Sequence, residues 1–301
     1  MTLGKIFHLV HMTGDLPSLE TWYDDVFGVR RGWLDHHYAQ SEQRDASLVT
    51  LADVVIEPLA PAFAVDGWDR YPLGRFYNRF GNHWHSIAWY CEDALPYWEL
   101  MRENGIRVFG PAGGQSDEPP PAGSPVFTHP KDTITQIQFD PPRESRSRDP
   151  RLHPDYDPLW WLTNHPLGLY GLSYTTVLTK DLERGEHIFA GVLGGDVIER
   201  STSGLTGTQD VYVRLGESVV QLSTPTGNDG IAADDLAASG EIHHAVCFRV
   251  ADLDRTEKYL ASKGITTSAR DDDTILSAPE TTHGVPFRWT TRVIPGGTFD
   301  A

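Results

Sequence analysis

Long apolar runs, cysteines and surplus positive charge are all scarce in this chain, and each shortage removes a class of function. No stretch approaches the ~20 consecutive apolar residues that a membrane-spanning helix needs, so no membrane partner is expected. Only two cysteines occur, Cys91 and Cys247, each within a strand-like apolar run. Two buried free thiols fit a reducing, cytoplasmic compartment and exclude a disulfide-stapled scaffold. Lys and Arg number 25 against 42 Asp and Glu, a net charge of −17 with no basic stripe to offset it locally. Such a field repels nucleic acid. The opening MTLGKIFHLV enters a strand pattern directly, without the basic segment and apolar core of a secretory signal, so none is expected. The partner class that remains is a small molecule, because a pocket's own field can differ from the net charge.

What is present is repetition. Lys5–Gly28 reads as a strand carrying His8 and His11, then a turn, then a helix. The helix has apolar residues at Leu19, Trp22, Tyr23, Val26 and Phe27, the spacing of a single buried face. Asp15 supplies the N-cap, Pro17 suits the first turn, and Gly28 suits a left-handed C-terminal stop. His8, Asp15, Tyr23 and Gly28 fall at the same spacings as Tyr174, Asp181, Phe189 and Gly194, at a constant shift of 166 residues. His85, Asp93 and Gly105 match His244, Asp252 and Gly264 at a shift of 159. Strand, capped helix and glycine therefore recur four times in the pattern A, B, A′, B′.

Each copy continues into strand-like segments, such as ASLVTLA and VVIEPLAP after Gly28, or DVYVRLG and SVVQLSTP after Gly194. The period is one strand, one helix and about three antiparallel strands, with the helix covering one sheet face. The expected fold class is α+β, with four βαβββ modules paired into two halves, residues 1–142 and 168–301. Residues 143–167 are rich in Pro, Arg and Asp without a period, and read as a crossover anchored by Trp160 and Trp161. A second Pro/Gly-rich segment, residues 110–125, reads either as cover over a pocket mouth or as a surface insertion.

The βαβββ unit, its opening His8, Asp15-Leu16, Trp22-Tyr23 and Gly28, and the pairing of modules resemble the vicinal oxygen chelate superfamily. That group includes glyoxalase I, methylmalonyl-CoA epimerase, extradiol dioxygenases and the fosfomycin and bleomycin resistance proteins. The resemblance covers nearly the whole chain. It implies that each pair of modules curls into a glyoxalase-like half-barrel around one divalent metal, with ligands from the first and last strands of both modules. Carried over, the implied ligands are His8, Glu57 in VVIEPLAP, His85 and Gln138. His85 lies eight rather than seven residues before Asp93, so it reaches the cavity over a one-residue bulge, or Ser86 takes its place. Gln136 is the alternative to Gln138.

Two imidazoles, one carboxylate and one amide oxygen suit Fe(II), Mn(II), Co(II), Ni(II) or Zn(II). Such a shell leaves room for two neighbouring oxygens of a substrate and for Lewis-acid stabilisation of an enolate. His11 and His83 flank the set and are candidates for general acid–base catalysis, with residues just behind the ligands or on the surface as the plainer reading. His36–His37 and His243–His244 are neighbours on strands and point to opposite faces, so only one of each pair can face a given cavity. The second half places Tyr174, Gln221, His244 and Arg288 at the equivalent positions, a poor set for a cation and so a structural or substrate-gripping copy. The expected activity is metal-dependent lyase or isomerase chemistry on a small apolar or aromatic substrate. Alternatives are an Fe(II) ring-cleaving dioxygenase and a metal-free binding or resistance protein. The resemblance also admits a homodimer.

Overall fold

Two sheets carry the chain, each organised about one pair of antiparallel central strands. The computed structural model describes residues 2–34, 38–40, 42–110, 118–142 and 147–300. His36 and His37 lie outside the described residues, as do positions 111–117 of the Pro/Gly-rich segment and 143–146 of the crossover.

The first sheet contains β1 (Leu3–Met12), β2 (Arg30–Leu34), β3 (Arg44–Ala46), β4 (Leu48–Leu51), β5 (Val54–Pro61), β6 (His83–Cys91), β7 (Val108–Phe109), β8 (Val126–Thr128) and β9 (Gln136–Asp140). Its spatial order is β2-β4-β5-β1-β6-β9-β8-β7, with the short β3 beside β5. The second sheet contains β10 (Leu169–Leu178), β11 (Asp196–Ser203), β12 (Thr208–Leu215), β13 (Ser218–Pro225), β14 (Ile242–Val250), β15 (Thr267–Arg270), β16 (Thr274–Ser277) and β17 (Phe287–Thr290). Its order, β11-β12-β13-β10-β14-β17-β16-β15, repeats the first. Within a module the first and last strands are parallel, β1 with β5 and β6 with β9, and the modules join through the antiparallel pair β1 and β6. In the second half β10, β13, β14 and β17 repeat these pairings. The structure is thus the expected α+β arrangement of four βαβββ modules in two half-barrels.

The first helix, Leu16–Phe27, forms where its apolar spacing and caps dictate. Asp15 accepts a hydrogen bond from the Ser18 amide at 3.1 Å, and Gly28 takes a left-handed φ of 57° while its N–H closes on Asp24. Leu19, Tyr23, Val26 and Phe27 are fully buried. They face more than their own sheet: the Phe27 ring lies 5.9 Å from both Phe248 and Trp289 of the second half. Two further helices, Pro72–Phe80 and Ile231–Ser239, link the modules within each half and begin at the same 159-residue shift. No helix among the described residues is long and apolar enough to cross a membrane.

The crossover is a structural pin. Trp161 is buried and donates its indole N–H to the Phe27 carbonyl at 2.8 Å. Arg151, with a side chain only 3% exposed, is paired with buried Asp149 at 2.6 Å and donates to the carbonyls of Ile6, Phe7 and Asp53. Tyr90 completes the set by donating to Asp149 at 3.1 Å. Close by, the Asp53 carboxylate accepts the Leu172 amide at 2.7 Å, tying the two halves together. Gly171 is required there, because a Cβ would collide with that carboxylate.

Removing Arg151 leaves Asp149 buried without its cation, so Arg151→Ala is expected to cost about 3–5 kcal/mol in urea unfolding. Arg151→Met, which keeps most of the packing volume, should cost no less, because the orphaned carboxylate dominates; a near-neutral result for either variant refutes the pin. Burial pushes the Asp53 carboxyl up to about 6, against the partial relief given by the Leu172 amide and Arg151. A carboxyl raised in the folded state lowers stability as pH climbs from about 4 to 6. Asp53→Asn should therefore stabilise the protein above pH 6, with the gain shrinking towards pH 4, as read from melting temperatures across that range.

Candidate functional site

Strand register assembles one cavity in the first half. His8 lies opposite Ala88, Ala88 lies opposite Gln138, and Val10 lies opposite Glu57. Side chains alternate along a strand, so His8, Glu57 and Gln138 come to the same face. Plain alternation from Ala88 would bring Ser86 to that face and turn His85 away. The pairing slips, however, between Leu9/Ile87 and His11/Trp84, where β6 carries one residue more than β1. This bulge lets His85 and Ser86 both line the cavity. Gln136 lines it as well, beside Gln138.

The cavity holds about 150 Å³. Within it, His8 Nε2 is 3.1 Å from Glu57 Oε2, and Arg44 Nη1 is 3.4 Å from the other carboxylate oxygen. Arg44 also pairs with Glu42 at 2.6 Å. Burial, with His83 and His8 nearby, pushes His85 down to about 4, so its ring is neutral at pH 7. Its Nδ1 is 2.9 Å from the Ser86 hydroxyl, and the tautomer that donates from Nδ1–H to that oxygen keeps a lone pair on Nε2. Gln138 donates its amide N–H to Asp140 at 3.2 Å, which turns the carbonyl oxygen the other way. Next to this polar cavity is an apolar chamber of about 430 Å³, walled by Tyr71, Leu73, Phe76, Phe109 and Phe127. Glu42, His85 and Gln136 border both spaces.

Neutral imidazole, carboxylate and amide oxygen are the donor types a divalent first-row cation takes, so the residues present fit such an ion chemically. Among the described residues, no three His, Cys, Asp or Glu side chains stand clustered about one point, and His8 and Glu57 contact each other directly. Arg44 supplies part of the positive charge that the Glu57 carboxylate needs.

Neither His11 nor His83 lines either chamber, although His83 is near enough to His85 to help push it down. His11 lies three residues from His8 and so faces the opposite side, where it is fully buried. Its Nδ1 is 2.9 Å from the Tyr23 hydroxyl and its Nε2 is 3.3 Å from the His283 carbonyl oxygen. Burial pushes it down to about 3. His83 places Nδ1 3.0 Å from the Trp84 carbonyl oxygen and Nε2 3.1 Å from Asp235 of the second half. Asp235 also holds His244 at 2.6 Å, and these two histidine contacts keep its carboxyl well below the usual range despite burial. Sequence reasoning missed Glu42 and Arg44. They sit on the short extra strand and its approach, outside the repeat, and no spacing pointed to them.

No protein-family model matches the chain. Over 115 residues it is 30% identical to mitochondrial methylmalonyl-CoA epimerase of Bos taurus, an overlap of 38% of this chain and 61% of that protein. The chain thus spans less than two thirds of that relative's length. Among solved structures, a triple mutant of 4-hydroxymandelate synthase from Streptomyces coelicolor matches with a TM-score of 0.67 over 99% of this chain and 96% of that chain, at 13% identity. At that identity the likeness is one of fold.

Proposed function

We propose, from this fold and the partial likeness to an epimerase, that the chain is a vicinal oxygen chelate protein, a divalent-metal-dependent enzyme acting in the first half-barrel. The observation that carries this reading is the gathering of His8, Glu57, His85 and Gln138 in one polar cavity that borders an apolar chamber. These four residues would hold the ion, which when bound supplies Lewis-acid stabilisation of an oxyanion on a substrate with two neighbouring oxygens. Glu42 borders both spaces and is the carboxylate placed to take a proton from carbon next to a carbonyl. Arg44 orients Glu42 through their ion pair. The aromatic walls of the larger chamber take the substrate's apolar portion and keep water from it. Isomerisation by proton transfer is the reaction this arrangement serves. The Arg44–Glu57 contact favours a second reading, a metal-free binding protein, because it already compensates the buried carboxylate.

Metal analysis separates the two. Purified protein should carry close to one equivalent of Fe, Mn, Co, Ni or Zn, and Glu57→Ala and His85→Ala should lose it along with metal-dependent thermal stabilisation. A metal-free protein whose melting temperature ignores all five ions would refute the enzyme reading. With methylmalonyl-CoA as first substrate, because the curated relative is named for it, Glu42→Gln should slow deuterium exchange from D2O at least ~100-fold while leaving metal content unchanged. Oxygen consumption with catechols, dependent on added Fe(II), would point instead to ring-cleaving dioxygenase chemistry.

A further inference from the structure

The second half-barrel builds the same cavity from different chemistry. Tyr174 lies opposite Cys247, Cys247 opposite Arg288, and Thr176 opposite Gln221, which puts Tyr174, Arg288 and Gln221 where the first half has His8, Gln138 and Glu57. Together they line a space of about 260 Å³. The Arg288 side chain reaches that space and also a neighbouring, mostly apolar one of about 340 Å³, walled by Leu205, Ile231, Ala232, Leu276 and Phe287.

Arg288 is only 3% exposed. Its hydrogen bonds go to neutral groups, from Nη1 to Gln221 Oε1 at 2.8 Å and to Thr176 Oγ1 at 3.3 Å. Among the described residues no carboxylate pairs with it. Asp210 acts on it only through space: Ser223 holds that carboxyl at 2.5 Å, and burial pushes it up from the ordinary value against the partial relief given by Ser223 and Arg288. Arg292 is committed to Glu199. At the mouth, Asp271 accepts from the backbone amides of Asp273 and Thr274, and Asp273 accepts from the Thr274 hydroxyl. A buried cation without an anion is costly, and a bound anion removes that cost.

We infer that the second half-barrel binds a small organic monocarboxylate with an apolar tail, the carboxylate on Arg288 and the tail in the adjoining apolar space. The guanidinium offers a planar fork for a planar carboxylate. One guanidinium without a direct carboxylate partner matches one negative charge. A phosphate dianion would meet a second, unmatched charge next to Asp210, Asp271 and Asp273. Tyr212 strengthens the site: its oxygen accepts from Gln221 at 2.8 Å and from Arg292 at 3.3 Å, which leaves its own proton to donate. Gln221 and Thr176 fix the guanidinium in plane.

Phenylacetate and hexanoate are the probes, titrated calorimetrically into the full-length protein. Both should bind saturably, and Arg288→Met should weaken them at least 50-fold while Glu57→Ala leaves them unchanged. Tyr212→Phe, the variant that serves if Arg288→Met fails to fold, should weaken them about tenfold. Phenylacetamide, which has the tail without the charge, should not bind at the same concentrations. Absence of saturable binding by both acids overturns the inference, as does equal binding of the amide. Inorganic phosphate binding tighter than phenylacetate overturns the assignment to a monocarboxylate.

Discussion

The antiparallel pairing of β1 with β6 is the contact on which the first half depends. It joins the two modules, and its one-residue slip decides which side chains meet. Without the extra residue on β6, His85 would point into the apolar core and the cavity would keep only the Ser86 hydroxyl on that strand. The same slip recurs between Thr176/Ala245 and Val177/His243, so the bulge belongs to the module pair rather than to one site. It sends His243 towards Thr175, at 2.6 Å, while His244 borders the apolar space next to Arg288.

With the scaffold held in common, the two halves differ in charge. The first cavity contains a carboxylate shared by an imidazole and a guanidinium. The second contains a guanidinium supported by an amide and a hydroxyl. A site of the first kind attracts cations or their chelates, and one of the second attracts anions. Net charge of −17 conceals this difference entirely, since it is set by the surface.

The four modules were legible in the sequence because equal spacings of cap, aromatic and glycine survive where side-chain chemistry does not. The apolar period of Leu19, Tyr23 and Val26 and the N-cap at Asp15 placed the first helix correctly to the residue. The helices Pro72–Phe80 and Ile231–Ser239 were not read: the first opens on a proline and carries Gly74, and the second is alanine-rich with little apolar contrast between its faces. Alternation by itself sets His11 against His8, since three residues separate them, and that parity outweighs mere nearness in sequence. The bulge at His85 was visible as a one-residue excess in its spacing to Asp93. Glu42 and Arg44 were beyond reach, because a short strand outside the repeat has no partner copy to be compared with. The crossover was read from its composition as a connector anchored by Trp160 and Trp161; Arg151, which no pattern singled out, is nearly as enclosed as Trp161, and each is satisfied by carbonyls from distant segments.

Those carbonyls bear on how separable the halves are. A fragment ending at residue 142 would keep every strand of the first sheet. It would lose the guanidinium that gathers the backbone at Ile6 and Phe7, immediately ahead of His8, and the indole that closes the carbonyl end of the first helix. It would also expose Phe27, whose ring packs on Phe248 and Trp289. Although the repeat makes the chain look like two interchangeable units in series, the first unit's site is braced from outside its own boundaries. Swapping halves between related proteins would therefore succeed only if the connecting segment travelled with the first half and its aromatic partners with the second.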